Sequence, residues 1–167
     1  MQSRMHRTTF ETALGRCAVR WQDEERVSGF DLPDAAPGAD DELSPPPAIL
    51  AVIARVRRHL GGDLQDFSDL NYDFDTLPTF NAAVLRATLL VKPGQTRSYG
   101  EIAAAIGQPP AASRAVGAAL GANRWPLLIP CHRIVSASGK MTGFSGPGGV
   151  QAKLRLLALE GAQLFAE

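Results

Sequence analysis

Proline and glycine cut this chain of 167 residues into short pieces, and that punctuation limits what it can fold into. A proline inside a helix ends or kinks it, and a glycine weakens it, so 12 prolines and 16 glycines leave room for short elements only. The breaks fall over residues 33–47, at Pro78, at Lys92-Pro93-Gly94, at Gly107-Gln108-Pro109-Pro110 and between Pro126 and Pro130. A last one spans Ser136–Gly149, with five glycines and one proline; such a stretch serves equally as a flexible connector or as backbone that approaches a ligand closely. No run of eighteen apolar residues occurs, so no transmembrane helix is expected.

Between these breaks the periodicities are readable. In Arg16–Trp21, residues Cys17, Val19 and Trp21 share one face while Arg16 and Arg20 take the other, the pattern of a half-buried strand. Val27-Ser28-Gly29-Phe30 is its partner, and Cys17 reads as a small core hydrophobe. The acidic, proline-rich stretch 33–47 reads as an exposed loop. A helix is predicted over 47–60, with Ile49, Val52, Ile53, Val56 and Leu60 on one side and Arg55, Arg57 and Arg58 on the other. His59 falls at its C-terminal end, where the helix dipole favours a cation, and reads as a solvated structural histidine. Phe67, Leu70, Tyr72 and Phe74 suggest a further extended stretch. From Thr79, a candidate N-cap, the residues Phe80, Val84, Leu85, Thr88 and Leu89 mark a second helix. Two short helices, 99–106 and 111–120, flank a Gly/Pro turn in helix-turn-helix fashion, a pattern that plain alanine-rich helix packing also produces. The last helix, 150–159, carries Val150, Leu154, Leu157 and Ala158 as its apolar stripe, and Gly161 stops it.

Chemistry concentrates in Ile129-Pro130-Cys131-His132-Arg133. Cysteine is scarce, with only Cys17 and Cys131, and an imidazole and a guanidinium beside a thiol are expected to lower its pKa. The apolar, proline-bracketed segment 125–130 should hold the thiol at a fixed, partly buried place, so Cys131 reads as a nucleophile. Two cysteines make no disulfide framework, no secretory signal follows the basic N-terminus, and a reducing, cytoplasmic home is expected. Net charge is zero, but residues 1–79 carry 8 Lys+Arg against 14 Asp+Glu while residues 80–167 carry 9 against 3. Either the basic half meets a polyanion or the acidic half docks on it; both can hold.

Together these residues resemble the O6-alkylguanine-DNA alkyltransferases, also called methylated-DNA–protein cysteine methyltransferases. The resemblance covers about residues 79–161 and is weak over 1–78. It rests on Ile129–Arg133, on Ser98-Tyr99-Gly100-Glu101-Ile102-Ala103, on Ser113-Arg114-Ala115-Val116-Gly117-Ala118-Ala119, on Asn123, and on Leu156-Leu157-Ala158-Leu159-Glu160-Gly161. It implies an α+β protein: a small ribonuclease-H-like α/β structural domain over 1–78, and a mostly helical, winged-helix-like domain with a helix-turn-helix over 79–167. Its partner would be double-stranded DNA bearing O6-alkylguanine, met in the minor groove by a monomer without cofactor or metal.

The same resemblance distributes roles. Cys131 would take the alkyl group irreversibly, His132 would remove the thiol proton through a water, and Glu160 would orient the imidazole and favour a thiolate–imidazolium pair. Asn123 would brace the turn before the nucleophile; its position after Gly121 also reads as a helix C-cap, and both can hold. Arg114 would fill the gap left by a flipped base, and Tyr99 would crowd the phosphate and protonate guanine N3. Ser113, Ala115 and Gly117 would lie against DNA. Val135, Phe144 and Ser145 would line the base pocket, with the Ile134 carbonyl reading the guanine amino group. The chain departs from the family pattern at Arg124-Trp125, at Leu85, at Phe144 and in the longer loop 145–149. The alternative is a catalytically inactive relative that binds alkylated DNA and flags it for other repair.

Overall fold

The structure, a computed structural model, describes residues 5–33, 35–38, 41–136 and 149–162. It is a mixed α/β architecture. Strands β1 (His6–Thr12), β2 (Gly15–Gln22) and β3 (Arg26–Asp31) form an antiparallel sheet in that order. Val19 lies opposite Phe30 and Trp21 opposite Val27, the pairing expected from their alternation, with a register shift at Arg20/Trp21. Cys17 sits opposite Phe10, fully buried. The first strand carried little sequence signal, because Phe10 is its one large apolar residue; pairing with β2 makes it a strand.

Helix α1 (Pro47–Leu60) opens with a proline in its first turn, where no amide is needed, and buries Ile49, Val52, Ile53, Val56 and Leu60. His59 is buried with them, contrary to the solvated place expected for it. It stands three residues beyond Val56 and seven beyond Val52, so helical geometry carries it inward. The extended stretch expected at 67–74 shrinks to one bridge, Val27 to Tyr72, followed by a 3-10 turn at Phe74–Thr76. Aromatic packing sets this segment: Tyr72 stacks on Phe74 at 5.5 Å, and both meet the edge of Trp125.

Helix α2 (Thr79–Thr88) has Pro78 at its cap position, so Thr79 is its first helical residue and makes no side-chain cap. Strand β4 (Arg97–Ser98) runs parallel to β5 (Ile134–Val135). Ser98 also begins α3 (Tyr99–Ala105) with a capping box, its hydroxyl accepting from the Glu101 amide at 3.0 Å while the Glu101 carboxylate accepts from the Ser98 amide at 2.8 Å. Gly107, at φ +77°, lets the chain leave α3; a 3-10 turn at Pro110–Ala112 then feeds α4 (Ser113–Gly121). Val116, Ala119 and Leu120 face inward, while Arg114, Ala115 and Ala118 are exposed.

Helix α5 (Gly149–Leu159) buries Leu157 as expected but is rotated from the rest of the expected stripe, of which the Val150 side chain lies outside the described residues. Lys153, Leu156 and Leu157 are buried on it, Leu154 is half-buried and Ala158 is exposed. Polar partners set that face: Lys153 donates to the Ile134 carbonyl at 2.8 Å, and Glu160, buried one residue past the helix, meets His132 and Arg133.

The two halves share one core, from Phe10 and Trp21 to Leu128 and Leu156. Trp125, fully buried, donates its indole N–H to the Val27 carbonyl at 2.9 Å, and the Phe30 amide donates to the Arg124 carbonyl at 2.8 Å. The unusual Arg124-Trp125 pair is thus a dock for the β-sheet. Among the described residues only two ion pairs join the acidic and basic halves, Asp66–Lys92 and His59–Glu160. Charge contributes to docking, but apolar burial dominates it.

Candidate active site

The approach to Cys131 is held by short, fixed hydrogen bonds. Asn123 accepts the Trp125 amide on its side-chain oxygen at 2.9 Å and donates to the Ile129 carbonyl at 3.0 Å. Between those two contacts the chain doubles back, with the Ile129 amide on the Trp125 carbonyl at 2.8 Å. Leu127 adopts φ +77°, a left-handed conformation costing about 1 kcal/mol for a residue with a Cβ. Full burial of its side chain offsets that cost. Cys131 then opens a 3-10 turn, Cys131–Arg133, that runs directly into β5.

That turn aims its side chains at one carboxylate. Glu160 receives His132 Nε2 at 3.0 Å to both oxygens, Arg133 Nε on Oε1 at 2.8 Å and Arg133 Nη2 on Oε2 at 2.7 Å. The Arg133 fork is bidentate, the strongest arrangement for this pair, and its Nη1 also donates to the Val91 carbonyl at 2.7 Å. A third donor arrives from α1: His59 Nε2 lies 2.8 Å from Oε2. Burial alone would raise the Glu160 carboxyl, but hydrogen bonds from Arg133, His132 and His59 overcome it and hold the group far below the usual carboxylate range. An ionised Glu160 requires the His132 proton on Nε2, which leaves Nδ1 as a lone-pair acceptor. His132 Nδ1 is buried and has no hydrogen-bond partner among the described residues.

The expectation that Arg133 would lower the Cys131 pKa is corrected by this geometry. Its guanidinium is spent on Glu160 and Val91. Burial pushes the Cys131 thiol up, opposed by a hydrogen bond from Asn123, by the charge of Lys153 and by the amides of Cys131 and His132. Burial likewise lowers His132, against the pull of Glu160. The resting pair is therefore thiol and neutral imidazole, not thiolate and imidazolium. Cys131 is 7 % exposed, so it is neither sealed nor freely solvated.

Lys153 was not anticipated. It is buried on α5, donates to the Ile134 carbonyl at 2.8 Å, and burial lowers its pKa while the neighbouring Cys131 raises it. The Ile134 carbonyl expected to read a base amino group thus already accepts one donor, which leaves it one lone pair. Lys153→Met should make iodoacetamide labelling of Cys131 roughly tenfold slower near neutrality, equivalent to one pKa unit. In the wild type the labelling rate should keep rising through pH 9. Superimposable pH profiles, read by intact mass, would show that the ammonium does not act on the sulfur.

The remaining residues are spread around this centre. Val135 is buried in β5 opposite Ser98, which places the start of α3 beside the strand that follows Cys131. Tyr99 is half-buried, with its ring near Gly117 of α4: a Cβ built there would lie 3.8 Å from the ring. Ser113 donates its hydroxyl to the Pro110 carbonyl at 2.8 Å, inside the turn. Arg114 and Ala115 lie on the exposed face of α4, and Leu85 is buried in the core. Phe144 and Ser145, with the long loop 145–149 except Gly149, lie outside the described residues.

Comparison with known families matches residues 79–162 to a profile described as the 6-O-methylguanine DNA methyltransferase DNA-binding domain. The chain belongs to this family. A methylated-DNA–protein-cysteine methyltransferase from Mycobacterium bovis is 41% identical over 122 residues, 73% of this chain and 71% of that protein. A Thermus thermophilus relative named a DNA base-flipping protein is 40% identical over 113 residues, 68% of this chain and 74% of its own length. The Mycobacterium tuberculosis O6-methylguanine methyltransferase superposes with a TM-score of 0.79 at 31% identity, over 98% of this chain and 97% of that one. Its complex with DNA gives 0.78 at 33% identity, over 93% and 92%.

Within this family member, His59 and Lys153 are the site residues missed from sequence. Each had a signal: His59 continues the buried stripe of α1, and Lys153 stands seven residues before Glu160, two turns below it on one face. Two histidines and a carboxylate also make a metal-like ligand set. Here both imidazoles aim at the carboxylate rather than at a shared centre, and the Arg133 fork occupies it. Among the described residues no three such side chains could hold a metal ion.

Proposed function

We propose that this alkyltransferase repairs DNA by moving the alkyl group of O6-alkylguanine onto Cys131, once per molecule. The Cys131 sulfur attacks the alkyl carbon, the carbon–O6 bond breaks, and its electron pair passes to the guanine ring. The thiol proton goes through a water to His132 Nδ1, and Tyr99 returns a proton to guanine N3. The product thioether has no leaving group that water can displace at a useful rate, so the protein is consumed. The observation carrying this reading is the meeting of a cysteine, an imidazole whose Nδ1 has no partner among the described residues, and the carboxylate that fixes its tautomer. With the thiol protonated at rest, proton removal becomes part of the transfer step, when the bound base excludes water.

In this reading residues 79–167 form the DNA-binding and transfer domain, winged-helix-like around α3 and α4. Residues 1–78 form a ribonuclease-H-like structural domain. The exposed face of α4 enters the minor groove, with Ala115 and Gly117 allowing close approach and Ser113 beside them. Arg114 takes the place of the everted guanine, while Tyr99 lies at its phosphate. Val135, Phe144 and Ser145 line the base pocket. The protein acts as a cytoplasmic monomer.

Incubation with a duplex containing O6-methylguanine, followed by intact mass and peptide mapping, is the direct test: one methyl group per chain, on the Cys131 peptide. Binding without modification would instead assign it to the damage-flagging class, and repeated turnover would mean a hydrolase. Arg114→Ala should fold normally and lose at least tenfold in transfer from duplex DNA, yet keep its rate with the free base O6-benzylguanine. An equal loss on both substrates would remove Arg114 from base flipping.

A further inference from the structure

We infer that His59, carried on α1 in the half of the chain remote from the motifs, is a positioning residue for alkyl transfer that fixes Glu160 through its Nε2–H. The inference rests on the transfer reading of Cys131 and adds a residue to it. His59 is fully buried, 101 positions from Glu160, and its two ring nitrogens have distinct partners. The Gln65 amide donates to Nδ1 at 2.9 Å. A nitrogen that accepts cannot carry the proton, so the proton lies on Nε2 and is donated to Glu160 Oε2 at 2.8 Å. A backbone amide thus sets the tautomer, and the tautomer sets the direction of the bond.

The position of this donor decides its importance. His132 and Arg133 stand on the same turn as Cys131, so they can shift together with the carboxylate as one unit. Arg133 is anchored outside that unit by the Val91 carbonyl, but the anchor acts on the arginine. His59 holds the carboxylate itself, from a helix packed beneath the β-sheet. Glu160 lies one residue past the end of α5. Phe67 flanks the His59 ring at 5.6 Å, which limits its rotation. With His59 in place, the Glu160 carboxylate is fixed from α1 as well as from the Cys131–Arg133 turn; without it, only donors of that turn hold the carboxylate, and the imidazole is less well oriented.

His59→Phe keeps a ring but removes the N–H, and His59→Gln returns an N–H at the same reach. His59→Leu stands in for the first if the phenylalanine variant does not fold. Each would be measured for single-turnover transfer from an O6-methylguanine duplex and from O6-benzylguanine, and for duplex affinity. The donor-less variant should transfer about tenfold more slowly on both substrates, the worth of one hydrogen bond to a charged group, with DNA affinity within twofold of wild type. His59→Gln should recover most of the rate. A folded donor-less variant at wild-type rate, or a glutamine variant no faster than it, overturns the inference. Failure of the wild type itself to methylate Cys131 would instead sink the transfer reading.

Discussion

Glu160→Gln is expected to cost about 3 kcal/mol of folding stability and to lower the thermal midpoint by roughly 10 °C. The carboxylate is the one anion among three buried donors, and its removal leaves the Arg133 guanidinium charged, buried and half-paired. An amide also offers a donor toward His132 or Arg133, where only an acceptor fits. The same change should slow transfer at least a hundredfold, because the imidazole loses the partner that fixes its tautomer. Scanning calorimetry and single-turnover kinetics read the two effects separately. The pH dependence follows from the sign of the Glu160 shift. Its folded pKa is depressed, so its stabilisation is fully present above the ordinary carboxyl value near 4.5 and is lost as pH falls further toward the folded value. Wild type should therefore lose stability below about pH 4.5 more steeply than Glu160→Gln. Parallel acid-unfolding curves would mean that the carboxylate is not ionised in the fold.

Cys131→Ala is expected to abolish alkyl transfer while leaving duplex affinity within twofold. The side chain is small, its volume change is tolerable at a site with 7 % exposure, and the proposed DNA-contacting face is on α4. The chain carries its own control. Cys17 lies with no exposed surface opposite Phe10 and should stay unmodified in wild type and variant alike. Methylation found on Cys17, or transfer surviving in Cys131→Ala, would place the nucleophile elsewhere.

Much of the fold was legible along the chain because the relevant periods are local. The faces of β2 and α1 follow from alternation and helical spacing, and the breaks between helices follow from proline and glycine. The failures share a cause. Thr79 looked like a cap, but Pro78 already supplies the extended turn before α2. The aromatic run 67–74 looked like a strand, but its rings pack on Trp125, a residue from the other half. On α5 the inward face was partly misjudged because Lys153, and Glu160 just past the helix, each held by partners in the segment 131–134, take places that a hydrophobicity pattern assigns to solvent.

Residue types and local order were enough to determine that one of two cysteines stands beside an imidazole, that a glutamate follows the last helix, and that proline and glycine divide the chain into separate elements. Those properties depend on neighbours in the chain. Only the folded molecule decided that the thiol rests protonated, that Arg133 serves the carboxylate rather than the sulfur, and that His59 reaches the same carboxylate across 101 positions. Protonation and partnership depend on burial and on which charges converge in space, and neither is a function of separation along the chain.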